Sequence, residues 1–187
     1  MRLILIRHSK TKPVSNIPIP LWGLTNDGIK EATNLIMNPL VRGIDVMYSS
    51  LQTKALETAL ILSKPNSIPI RTHAGLTEIS SFTKKFFGSP GYENNVKAFY
   101  TGKVERLLGG ETYKEALQRF ESALVEIITR ESDKSSIGIV SHGNILSFFS
   151  ARYSEQNPLY FHDVIKMPDI ASFDWDRKKF IKLWGER

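Results

Sequence analysis

Apolar and polar positions along the chain fall into two rhythms. Residues 2–6 (RLILI) form a brief Leu and Ile run of the kind buried on both faces of a sheet. Residues 44–50 (IDVMYSS) and 136–143 (SIGIVSHG) read as further strands, and 68–79 (IPIRTHAGLTEI) as a short strand followed by a turn. Residues 171–184 (ASFDWDRKKFIKLW) alternate around a DRKK turn, which predicts a hairpin.

Between them the spacing turns helical. Thr25 is placed to N-cap a helix through 26–37, with Asp27 and Glu31 near its positive end. Residues 51–63 carry apolar side chains at helical spacing and stop before Pro65. Residues 109–132 place Ala116, Leu117, Phe120, Leu124, Ile127 and Ile128 on one stripe. Residues 144–153 form a last helix directly after a strand. Residues 14–23, broken by Pro18 and Pro20, are loop, and 80–92 are expected to be irregular, with Gly88, Pro90 and Gly91.

Strands alternating with helices predict a three-layer α/β/α domain with a mostly parallel central sheet. Such sheets bind ligands beyond the carboxyl ends of their strands. Four polar signals stand there in the sequence: Arg7-His8, Ser49-Ser50, Glu78 and His142-Gly143.

Composition adds bounds. The 187 residues suffice for one domain, read as 1–187, and neither a linker nor a repeat interrupts them. The chain has no cysteine, which excludes disulfides, thiol nucleophiles and Cys-based zinc sites. The N-terminal apolar run is too short for a signal-peptide core or a membrane span, so a cytoplasmic protein with no membrane partner is expected. The net charge of +6 comes from scattered Lys and Arg. That distribution is a solvated basic surface suited to small anionic substrates, and a nucleic-acid partner rests on charge alone. Oligomeric state is not encoded in any pattern read here.

The residues at the strand ends suggest a chemistry. A neutral imidazole can attack phosphorus and carry the phosphoryl group as phosphohistidine. Phosphoryl transfer needs positioning and positive charge around the transferred oxygens. Arg7, Lys54 and a protonated second histidine, His142, would supply that charge. Glu78 would protonate the leaving oxygen and then activate water. The scheme uses no metal and no cofactor, and no metal-ligand spacing is present.

In this order the segments resemble the histidine phosphatase superfamily, in the branch that includes the phosphoglycerate mutases. LIRHSKT resembles its N-terminal RHG-x-T motif, YSSLQTKALETA its SSPLxRAxxTA segment, and LTEI the stretch carrying the acidic residue. GGETYKEALQRF resembles its GES…E…R helix start, and IVSHGNIL its VSHGG motif. The resemblance implies a phosphoglycerate mutase-like fold, His8 as nucleophile, His142 as second catalytic histidine and Glu78 as acid. It further implies phosphate contacts from Arg7, Ser9, Thr11, Asn16, Lys54 and Gly143.

The chain departs from the pattern at four places. Ser9 stands where the family has Gly, so it must accept the same turn, and its hydroxyl is within reach of the phosphate. Lys54 replaces the second arginine, keeping charge but losing the planar fork. Asn16 lies two residues beyond the family's Asn position. Asn144 replaces the second Gly of SHGG, where a backbone N–H approaches the phosphate.

Other residues receive plainer readings. Glu111 opens the long helix as structure, and His73 and His162 are structural or surface residues. Trp22, Phe86 and Phe87 are candidates for a substrate entrance, and Lys84 and Lys85 for steering an anion. The expected function is hydrolysis of a small phosphorylated metabolite through phosphohistidine. The alternatives are mutase-type phosphoryl transfer and a weakly catalytic phosphate-binding module. Mutases of the family carry longer insertions, and a mutase must exclude water; the short 80–108 stretch favours hydrolysis.

Overall fold

The computed structural model describes residues 1–80 and 90–185, with side chains from 94 onward in the second span. Six strands form one sheet: β1 (Arg2–Arg7), β2 (Val46–Ser49), β3 (Ile70–Thr72), β4 (Ser136–Ser141), β5 (Asp169–Asp174) and β6 (Lys179–Lys182). Their order is β3-β2-β4-β1-β5-β6. The first four run parallel, and the closing hairpin β5–β6 adds two antiparallel strands at one edge.

The helices are α1 (Asn26–Leu35), α2 (Pro39–Arg42), α3 (Thr53–Ser63), α4 (Pro90–Tyr100), α5 (Tyr113–Arg130), α6 (Gly143–Arg152) and α7 (Pro158–Val164). β1 shows why they form two layers. Its successive side chains point to opposite faces. Leu3 and Leu5 join a core with Phe120, Phe149 and Ile145 of α5 and α6. Ile4 and Ile6 join a core with Val41, Ala55 and Leu62 of α2 and α3. The expected three-layer α/β/α arrangement is the observed one.

Local capping fixes several ends. Thr25 Oγ1 accepts the Gly28 N–H at 2.9 Å and opens α1. Thr112 and Glu115 form a reciprocal capping box that opens α5 at Tyr113, four residues later than the expected start at 109. The third strand is only three residues long, because His73 Nδ1 accepts the Gly75 N–H and turns the chain into a 3₁₀ turn at Ala74–Leu76.

Three helices are absent from the sequence reading. α2 and α7 each follow an Asn N-cap, Asn38 or Asn157, with Pro at the first helical position. That Asn-Pro pair is the signal that finds them. α4 occupies part of the region expected to be irregular. The expected candidates Lys84, Lys85, Phe86 and Phe87 lie outside the described residues.

Candidate active site

Three neighbouring parallel strands deliver the central residues. β1 pairs with β4 through Arg7↔Ser141, and the His8 N–H continues the ladder to Ser141 O at 3.0 Å. The Ser50 N–H continues the other side to Val140 O at 3.0 Å. His8, His142 and Ser50 therefore emerge side by side at the carboxyl edge of the sheet. The two histidine rings meet edge to face with centroids 5.1 Å apart.

His8 is 5% exposed. Its Nδ1 lies 2.8 Å from Ser9 O, so Nδ1 carries the proton and donates, leaving Nε2 with a free lone pair. Burial drives its pKa down to about 3, and the Lys54 and Arg7 charges push the same way against the Ser9 hydrogen bond. His8 is thus a neutral, oriented imidazole.

His142 is fully buried, with Nε2 2.7 Å from Ser50 Oγ and Nδ1 without a partner among the described residues. Burial, followed by the cationic surroundings, holds its pKa well below the ordinary value. The expectation of a protonated His142 is not met in the free protein: the fold shields it from water and presents only unfavourable charges.

Arg7 donates from Nη1 to Ile165 O at 2.5 Å, and its buried Nε has no partner among the described residues. Burial lowers its pKa, while Glu78 opposes the shift. Gly143 makes room for it: a Cβ there would lie 2.8 Å from Arg7 Cζ and Nη2.

Glu78 reaches the site by a crossover. The Arg119 guanidinium donates to Gly75 O and Thr77 O at 2.8 and 3.1 Å and pairs with Glu111. Glu111 in turn accepts the Ser80 N–H at 2.9 Å. This frame carries Glu78 to the start of α6, where its carboxylate accepts N–H bonds from Asn144 and Ile145, both at 3.0 Å, and from Ile79 at 2.9 Å. Glu111, read as helix-start structure, is half of the clamp that positions this loop.

The Glu78 contacts correct a second expectation. The Asn144 N–H is spent on Glu78 and is not free for a phosphate. The Asn144 side chain instead accepts from the Tyr100 hydroxyl at 2.8 Å. Ser9 corrects a third. It is fully buried, its Oγ donates to Gly28 O at 2.7 Å and its N–H to Thr58 Oγ1 at 3.0 Å. It faces α1 and α3 rather than the cavity, and it is not among the positive-φ residues, so the turn needs no glycine.

Arg7, His8, Thr11, Asn16, Lys54, Glu78 and Gly143 all line one cavity of about 850 Å³. Thr11 donates its hydroxyl to Gly23 O at 2.7 Å, so its proton is already committed. Asn16 sits on the exposed wall. His162 is exposed, in line with its surface reading, and it also lines the cavity; no local pattern marks that second position, because α7 brings it there from a distant part of the chain. Trp22 lines it as well, with its Nε1 donating to Val14 O and Ile17 O at 3.2 and 2.9 Å and bracing the loop. His73 keeps its structural role as a cap.

Lys54 is 5% exposed, at the second position of α3. Its Nζ donates to Gln52 Oε1 at 2.6 Å and Ile19 O at 3.1 Å, leaving one N–H for a ligand. Burial lowers its pKa to about 8, against the favourable pull of Glu78. The ammonium is charged below that value and neutral above it. Turnover efficiency that depends on it is therefore expected to fall as pH rises through about 8. Lys54→Arg, which stays charged there, is expected to hold its kcat/KM flat across that limb. Profiles of kcat/KM for both proteins check this. An unchanged alkaline limb in the variant counts against it.

Comparison with known proteins follows the geometry. The family model described as "Histidine phosphatase superfamily (branch 1)" matches residues 3–186. No protein in a search of curated sequences matches. Among solved structures, phosphoserine phosphatase from Entamoeba histolytica in complex with 3-phosphoglyceric acid superposes with a TM-score of 0.76 at 22% identity, over 100% of this chain and 97% of that one. Mycobacterial glucosyl-3-phosphoglycerate phosphatase gives 0.73 at 18% identity, over 98% and 95%. Alpha-ribazole phosphatase from Shigella flexneri gives 0.70 at 21% identity, over 98% and 95%. At these identities the likeness carries the fold.

Proposed function

The chain belongs to branch 1 of the histidine phosphatase superfamily, and on that footing we propose that it hydrolyses small phosphomonoesters through a phosphohistidine on His8. The observation that carries the reading is the His8 ring. It is neutral, fixed by Nδ1 to Ser9 O, and presents Nε2 beside Arg7 and Lys54 in one cavity.

The Nε2 lone pair forms a bond to phosphorus as the bond to the leaving oxygen breaks. Arg7 Nε and the remaining Lys54 N–H hold the equatorial oxygens, which is where charge needs support in phosphoryl transfer. Glu78 in its acid form gives the leaving oxygen its proton. Its carboxylate then takes a proton from water as that water attacks the phosphohistidine and His8 regains its lone pair. His142, whose Nδ1 has no partner among the described residues and whose ring meets that of His8, donates to the phosphoryl group once the substrate's negative charge has drawn a proton onto it. These steps need no metal.

Hydrolysis of 4-nitrophenyl phosphate in excess chelator tests the proposal. Turnover is expected, with labelled phosphate retained on the quenched protein in an acid-labile, alkali-stable form. Activity that disappears with chelator and returns with added metal would overturn the scheme. Interconversion of phosphoglycerates without phosphate release would favour the mutase over the hydrolase.

A further inference from the structure

The cavity is much larger than a phosphoryl group, and its lining is of two kinds. One is the charged and imidazole groups already described. The other is apolar: Ile17, Ile19 and Leu51 from the first third of the chain, and Val96, Leu107 and Met167 from farther along it. Some of this apolar surface is in water in the free protein: Ile17 is 43% and Leu51 56% exposed. The same loop adds Leu21 at 60% exposure. Exposed apolar side chains gathered at a cavity mark a binding surface more often than chance placement does.

Charge is distributed unequally. Among the described lining residues the basic side chains besides His8 are Arg7, Lys54 and His162. Arg7 and Lys54 act on the His8 imidazole, where the phosphoryl oxygens need them. His162 has the Asp163 carboxylate 3.2 Å from its Nδ1, so an anion near it would meet a like charge. Against the described residues, a carboxylate on the leaving group would therefore lie beside aliphatic side chains with no counter-ion, and that desolvation is costly. An apolar or aromatic body would cover the exposed Ile17 and Leu51. Asn144, whose Oδ1 is taken by Tyr100, retains its amide N–H groups for a hydroxyl of such a ligand.

Resting on the hydrolase reading above, we propose that the preferred substrate is the phosphate monoester of a bulky alcohol with an apolar or aromatic body. The chain thereby separates from neighbours whose names specify phosphoserine or a phosphoglycerate.

The test compares primary alkyl phosphates, so that leaving oxygens of similar basicity are set against each other: 2-phenylethyl phosphate, glycerol 3-phosphate and O-phosphoserine. The expected order of kcat/KM places 2-phenylethyl phosphate roughly 30-fold above phosphoserine, the scale set by burying an aromatic ring. Ile17→Asn and Leu51→Asn change exposed side chains and keep the fold. Each is expected to reduce the ratio of 2-phenylethyl to glycerol phosphate efficiency roughly fivefold to tenfold. Phosphoserine hydrolysed as efficiently as 2-phenylethyl phosphate, or an unchanged ratio in both variants, overturns this inference and leaves the hydrolase standing. No hydrolysis of any of the three, nor of 4-nitrophenyl phosphate, removes the hydrolase reading and this inference with it.

Discussion

His8→Ala is expected to lose at least about 10⁴-fold in kcat and to form no phosphoenzyme, the scale on which removal of a covalent nucleophile acts. The imidazole presents a free Nε2 lone pair in the cavity that Arg7 and Lys54 also line, and burial keeps it unprotonated far into the acid range, down to about pH 3. The wild-type nucleophile consequently remains competent at mildly acidic pH. The variant should stay folded, since the His8 side chain makes one hydrogen bond, to Ser9 O, within its own segment. Added imidazole is expected to restore part of the turnover to His8→Gly, because the vacated space returns the same nucleophile to the same place. Rates and acid-labile label measured with and without imidazole check both statements. Retention of near wild-type turnover by His8→Ala would remove phosphohistidine from the mechanism.

Gly143→Ala is the second. Gly143 is the first residue of α6, and its conformation is one that any residue adopts there, so alanine brings no backbone penalty and a slight gain in helix propensity. The new Cβ would nevertheless sit 2.8 Å from Arg7 Cζ and Nη2, closer than such atoms pack. Arg7 is buried and held by Ile165 O, so relief comes through displacement of its guanidinium from the phosphoryl site. The expected result is a loss of about 10²-fold in kcat/KM, the cost of misplacing a charged group by about 1 Å. Thermal stability is expected to fall by about 1–3 kcal/mol, the usual cost of overpacking a buried contact. Normal activity in a folded Gly143→Ala would show that Arg7 does not need its present position.

These two residues also show what kind of information a sequence holds. Arg7-His8 and His142-Gly143 were visible because each follows a continuous apolar run, and the end of such a run in a parallel sheet is a fixed place in space. The apolar stripe of α5 and the Thr25 cap were visible for the same reason: periodicity and caps are local. α2 and α7 carry only an Asn-Pro signal, too short for a periodic pattern to form.

Side-chain direction was a different matter. Ser9 has the motif position of a phosphate contact, yet its hydroxyl turns to Gly28, because α1 supplies a buried carbonyl there. His142 was expected to carry charge, and full burial together with the neighbouring basic groups holds its pKa well below the ordinary value. Asn144 was expected to offer its N–H to phosphate, and Glu78, arriving from the loop after β3, has taken it.

The sequence by itself determined the layers, the strand ends and the identity of the groups gathered there, since those follow from periodicity and from the side a strand's end must face. Tertiary structure alone decided which of these groups reach the cavity, which are charged, and that apolar side chains from the 14–22 loop, α4 and the 107–109 turn line the same cavity. Orientation, desolvation and hydrogen-bond partnership depend on residues remote in the chain, and those become neighbours only once the layers have packed.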